Sequence, residues 1–183
     1  TDYVGHIFGP SSLESEDNIL QLDRTLADLF AFIDKNIGLS NTLIVLSADH
    51  GSPDVPGYLN ELGVQAGYVE PKNWDKQPAL ATLKKQFGID EELIVGYDHP
   101  YVYLNHEVIK EYNLDLRQVE QAVAQELLQF EGIAQAISSS ALRESNLPDT
   151  PLNKAILNNF NPSRSGDIYL VFEPNWFIRD FDG

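Results

Sequence analysis

The chain has 183 residues, 43% of them apolar, which is enough to build a packed core and excludes a disordered tail. Its formal net charge of −16 argues against a nucleic-acid polymer as partner, because the phosphates would be repelled, and leaves no basic patch for an anionic membrane. The absence of cysteine excludes disulfides, thiolate catalysis and a Cys-ligated zinc site, and no apolar run approaches the length of a membrane span.

In chain order, residues 2–10 carry Asp2 and His6, four apart. That spacing would place both on one face of a helix, but Gly5 and the Gly9-Pro10 pair favour a loop. Residues 11–37 read as a helix, with Ser11 and Glu14 as a capping box. Its apolar stripe is Leu22, Leu26, Leu29, Phe30, Ile33 and Ile37, and Gly38 is placed to end it. Residues 42–47, Thr-Leu-Ile-Val-Leu-Ser, form an apolar run that reads as a strand buried on both faces, as in a parallel sheet. Residues 53–75 read as a long loop with one helical turn around Tyr58–Leu62, followed by a short helix with Leu80, Leu83 and Phe87 inward and Gly88 closing it.

A second unit begins near His99. Its expected elements are a strand at Tyr101–Leu104, a helix capped by Asp115 with Leu116, Val119, Val123 and Leu127 inward, and a strand at Ile133–Leu142. A helix at Leu152–Phe160 and a strand at Asp167–Phe172 complete a β-α-β-α-β order. The expected class is therefore α/β. Residues 1–97 form part of a core with a parallel sheet, 98–175 a small α+β subdomain, and 176–183 a connection.

The chemistry concentrates in four side chains. Asp oxygen with His nitrogen is a usual zinc combination. Asp2 and His6 supply one such pair. Asp49 and His50 supply another, at the carboxyl end of the 42–47 run, where open α/β sheets place their ligands. A core helix returning to a parallel strand would bring both pairs to one sheet edge. His99 and His106 read as structural or surface residues. Ser47, Ser52 and Ser138–Ser140 lie in no nucleophile-elbow pattern, and Arg164 in its turn reads as solvated.

The stretch Asp2-Tyr-Val-Gly-His6-Ile-Phe-Gly9-Pro10-Ser11, then a helix containing Asp23, then Asn41-Thr-Leu-Ile-Val-Leu-Ser-Ala-Asp49-His50-Gly51, resembles the alkaline phosphatase superfamily. Within it the similarity is to the bacterial type I phosphodiesterase/nucleotide pyrophosphatase-like group. Residues 1–55 carry nearly all of it. The resemblance implies a phosphoric ester hydrolase with two Zn2+ ions, Asp2 and His6 serving one and Asp49 and His50 the other. It implies a Thr or Ser nucleophile upstream and a further His ligand downstream, so that this chain is a piece of a larger periplasmic or secreted enzyme. By itself the piece would be inactive and, with two protein ligands per ion, would hold metal weakly or not at all. The implied substrate is a small phosphate ester; a phosphodiesterase using the same metals, or a non-catalytic domain, are the alternatives.

Overall fold

The computed structural model describes residues 2–179, which divide into two compact units between Ala66 and Gly67. The division falls at 66/67 rather than 97/98, because residues from Val69 to Leu93 bury their apolar side chains in the core of the second unit.

The first unit contains α1 (Asp2–Phe8), α2 (Leu13–Asn36), a 3-10 turn at Leu39–Asn41 and α3 (Pro56–Glu61). The segment expected as a loop at Asp2–Phe8 is helical, with Gly5 inside it and Gly9 just past its end at φ +84°. The cap of α2 is Ser12 rather than Ser11: its hydroxyl accepts from the Ser15 N–H and donates to the Gly9 carbonyl at 2.8 Å. The apolar stripe of α2 has helical spacing, but none of its residues is buried, and Leu22, Leu29 and Ile37 are exposed. The 42–47 run forms no strand and pairs with none among the described residues. Leu43 is 88% exposed and Leu46 93%. A strand patterned for burial on both faces needs neighbours on both edges and layers above and below. Those neighbours are not among the described residues.

The second unit holds the core. Its elements are β1 (Gly67–Val69), a 3-10 turn at Pro71–Lys76, α4 (Pro78–Phe87), β2 (Ile94–Asp98) and β3 (Tyr101–Leu104). They continue with α5 (His106–Glu111), α6 (Leu116–Leu127), β4 (Ile133–Ser138), α7 (Ser139–Arg143), α8 (Pro151–Asn159), β5 (Ile168–Phe172) and β6 (Trp176–Ile178). An antiparallel sheet has the order β2-β3-β5-β4, and β1 pairs in parallel with β6. The fold is thus α/β, with one parallel pair and one antiparallel sheet.

Several expected elements change length. The strand from Ile133 stops at Ser138, whose hydroxyl caps α7 at the Ala141 N–H, so 139–142 turn helical. His106 opens α5 and Ser139 opens α7, so the expected β-α-β-α-β order gains helices. Trp176–Ile178, expected as connection, forms β6; residues 180–183 lie outside the described residues.

Val119, Val123 and Leu127 of α6 are fully buried together with Val102 and Ile168 of the sheet and Leu80 of α4. The Trp176 ring closes this unit over Gly132, where a Cβ would come within 2.3 Å of it. Three buried carboxylates are each fully engaged, as buried charges must be. Asp75 accepts from the Leu93 and Ile94 N–H groups and pairs with Lys84 at 2.6 Å. Asp167 accepts from the Leu104 N–H and meets His106 Nε2 at 2.7 Å. Glu120 accepts from the Ser139 and Ser140 hydroxyls at the start of α7. No helix among the described residues is long and apolar enough to cross a membrane.

Two leucines test this contrast. Leu127→Ala, in the packed core, lowers unfolding free energy by about 2–5 kcal/mol. Leu46→Lys shifts it by less than about 0.5 kcal/mol, while reducing self-association and binding of a hydrophobic dye. Denaturant unfolding and light scattering on the two variants check both.

Candidate metal centre

Two turns of the first unit build the site. Asp2 and His6 stand one helical turn apart on α1, so their side chains share a face. The Asp side chain lies in the first turn and the His in the last, the order that the helix dipole favours. The second pair comes from the turn after the 42–47 run. There the His50 N–H donates to Asp49 Oδ1 at 3.0 Å, which holds the two side chains on one bend.

Close approaches bring the two segments together. The Ser52 hydroxyl donates to the Gly5 carbonyl at 3.4 Å. At Gly9 an added Cβ would lie 3.4 Å from the Val55 backbone nitrogen, in a backbone region that favours glycine. The Gly9 carbonyl in turn accepts from the Ser12 and Ser15 hydroxyls, which sets the corner between α1 and α2.

The result is a cluster of three ligand atoms, one each from Asp2, His6 and His50, all within 4.8 Å of one another. Asp2 Oδ1 lies between the two imidazoles, 3.3 Å from His6 Nε2 and 3.6 Å from His50 Nε2. The rings are tilted by 53°, with centroids 5.2 Å apart. Asp49 Oδ2 is 3.8 Å from His50 Nε2, at the edge of the group. All four side chains are solvent-accessible.

The sequence reading assigned the two pairs to different ions. The structure brings all four residues together, with His50 as close to Asp2 as to its own neighbour. The Gly51 carbonyl is the partner that sequence reasoning missed. His50 Nδ1 lies 2.9 Å from it. A carbonyl only accepts, so Nδ1 carries the proton and Nε2 presents its lone pair to the cluster, as a metal-ligating histidine requires. A backbone acceptor leaves no signal in side-chain identity; the adjacent glycine was the available hint.

The arrangement fits a divalent cation. In a tetrahedral zinc site with bonds of about 2.05 Å, ligand atoms are separated by about 3.3 Å. The distances to Asp2 Oδ1 are close to that value. Two carboxylates facing two neutral imidazoles leave a local charge of −2, which a dication offsets. Metal-free, the same field acts on protons: the Gly51 carbonyl first, and then Asp49 and Asp2, raise the pKa of His50 above its ordinary value.

Comparison with known proteins gives a consistent family. A family model described as type I phosphodiesterase / nucleotide pyrophosphatase matches residues 1–182. Alkaline phosphatase PafA of Elizabethkingia meningoseptica is 37% identical over 172 residues, covering 93% of this chain and 31% of its own. Alkaline phosphatase PhoV of Synechococcus elongatus is 33% identical, covering 97% and 31%. A Myroides odoratus protein named calcium-transporting ATPase is 36% identical, covering 100% and 33%. The crystal structure of wild-type PafA superposes with a TM-score of 0.85 at 33% identity, over 98% of this chain and 34% of that one. The chain spans about a third of the length of these relatives.

Two outcomes follow for the chain as it stands. In a metal-free NMR titration, His50 loses its proton above pH 6.5, and Asp49→Asn moves that midpoint down, because a source of negative potential is removed. Substituting Gly9→Ala, at a backbone φ of +84°, costs about 1–2 kcal/mol of stability in denaturant unfolding.

Proposed function

The chain belongs to the type I phosphodiesterase/nucleotide pyrophosphatase family, and from that premise we propose that it supplies the metal-holding part of a phosphoric ester hydrolase of the alkaline phosphatase type. The observation that carries this reading is the convergence of Asp2, His6 and His50 on one point, with Asp49 beside them. The relatives named as phosphatases supply the reaction class. The ATPase named among them cleaves a phosphoric anhydride, so the same phosphorus–oxygen chemistry underlies both names.

In this proposal Asp2, His6 and His50 hold one zinc ion, and Asp49 contributes to a second next to it. When bound, such a pair supplies Lewis-acid stabilisation of charge on the phosphoryl oxygens and lowers the pKa of an attacking hydroxyl. The protein's own part is positional. The α1 helix fixes Asp2 and His6 one turn apart. The Gly51 carbonyl holds His50 in the tautomer that leaves Nε2 free, and the Asp49–His50 backbone contact keeps the second pair on its bend. The carboxylates also define the site's selectivity. Without a cation they repel a phosphate ester, so substrate binding and metal binding are coupled. We assign no nucleophile among the described residues, and the isolated chain is expected to hold metal without turning over. The parent enzyme is proposed to work in the periplasm or outside the cell, in keeping with a cysteine-free chain.

A second reading, hydrolysis of phosphodiesters or nucleotide pyrophosphates, is favoured by the description of the matching family. In the full-length protein, Asp49→Ala or His50→Ala lowers kcat/KM for a chromogenic phosphate monoester by about 100-fold or more. Unchanged turnover rejects the metal role. Running the monoester beside the bis-ester of the same chromophore decides between the two substrates.

A further inference from the structure

Strands β1 and β6 are the first and last elements of the second unit, and they pair with each other: Gly67 with Trp176, Tyr68 with Phe177, Val69 with Ile178. The pairing is parallel, so everything between the two strands serves as the crossover. A two-stranded pair three residues long has little stability of its own. Its hold comes from the turn that delivers β6 and from side chains that reach the core.

Glu173, Pro174, Asn175 and Trp176 form that turn, closed by the Trp176 N–H donating to the Glu173 carbonyl at 3.1 Å. Asn175 stands at φ +66°, and the proline before it cannot take a positive φ, so the turn is type II with its preferred residues. The Glu173 N–H donates to the Gly132 carbonyl at 2.9 Å, the Gly67 N–H to the Asn175 carbonyl at 3.2 Å and the Arg179 N–H to the Val69 carbonyl at 2.9 Å. The Trp176 indole fits against two glycines, where an added Cβ would come within 2.6 Å of it at Gly67 and 2.3 Å at Gly132. Trp176 and Val69 both join the main hydrophobic cluster. Tyr68 and Phe177, one residue along each strand, pair with ring centroids 6.5 Å apart.

The chain enters this pair at Gly67 and leaves it at Arg179. The two ends of the unit are thus about 10 Å apart, the length of three strand residues. Close ends are what allow one domain to be inserted into another. Among the described residues, both hydrophobic clusters lie wholly between Val69 and Trp176, so the core takes nothing from the residues before β1.

We propose that β1 and β6 form a clasp, fastened by Trp176, that closes residues 67–179 into an inserted domain which folds and unfolds independently of the first unit. This holds whatever reaction the parent enzyme catalyses.

The test is amide hydrogen exchange by NMR on the whole chain at rising urea. The Gly67 and Arg179 amides report the clasp, the Leu93 and Leu104 amides the core, and the Ile37 amide the first unit. The clasp and core amides lose protection together, and Ile37 loses it separately at lower urea, because α2 has no buried apolar stripe. Trp176→Ala lowers protection of the Gly67 and Arg179 amides by about tenfold or more, moves Leu93 and Leu104 to lower urea with them, and leaves Ile37 where it was. Trp176→Phe, which keeps an aromatic ring on the two glycines, recovers part of the loss. The proposal is overturned if Ile37 and the second-unit amides lose protection in one transition, if the clasp amides exchange well before the core in the unaltered chain, or if Trp176→Ala leaves the clasp amides unchanged.

Discussion

The candidate centre depends on one closure within the first unit. Helix α1 carries Asp2 and His6, the bend after the 42–47 run carries Asp49 and His50, and the two meet because the Ser52 side chain packs on Gly5 and the Val55 backbone passes close to Gly9. The Ser52 hydroxyl on the Gly5 carbonyl and Val55 against Gly9 are the contacts that bring His50 Nε2 to Asp2 Oδ1. Gly9 serves both sides of this closure. Its positive φ ends α1, and its carbonyl collects the two serine hydroxyls that start α2. The chemistry of the cluster is thus set by a turn that carries no reactive group itself.

The two units solve the problem of burial differently. In the second, α6 lies on an antiparallel sheet and its Val119, Val123 and Leu127 are out of water, each contributing about 1.5–3 kcal/mol relative to exposure. In the first, the residues with comparable patterning, Leu22 to Ile37 on α2 and Leu43 to Leu46, remain accessible to solvent. The cluster is therefore held by local hydrogen bonds and close backbone contacts rather than by a core of its own.

An acidic chain proposed to serve phosphate ester hydrolysis must localise positive charge. In the proposed hydrolase this is done with cations held between carboxylates and imidazoles, which turns a repulsive patch into an attractive one only when metal is bound.

What the sequence by itself determined is whatever local spacing encodes. The helix from Pro78 to Gly88, the Asp115 cap, the strand at Tyr101–Leu104 and the identity of the four Asp and His side chains follow from neighbours a few residues apart. Local signals erred where two of them competed. Gly5 and Gly9-Pro10 pointed to a loop, but the i,i+4 geometry of Asp2 and His6 prevailed as a helix. The apolar run from Ile133 continued past Ser138 in pattern, but the serine cap ended the strand. Tertiary structure alone decided the rest, because it depends on residues far apart in the chain. It set the boundary at 66/67 through side chains that join the core, paired β1 with β6 across more than a hundred residues, and left the 42–47 run unpaired among the described residues. It also placed His50 against Asp2 rather than with Asp49 alone, since 47 residues of chain intervene and only packing can fix that distance.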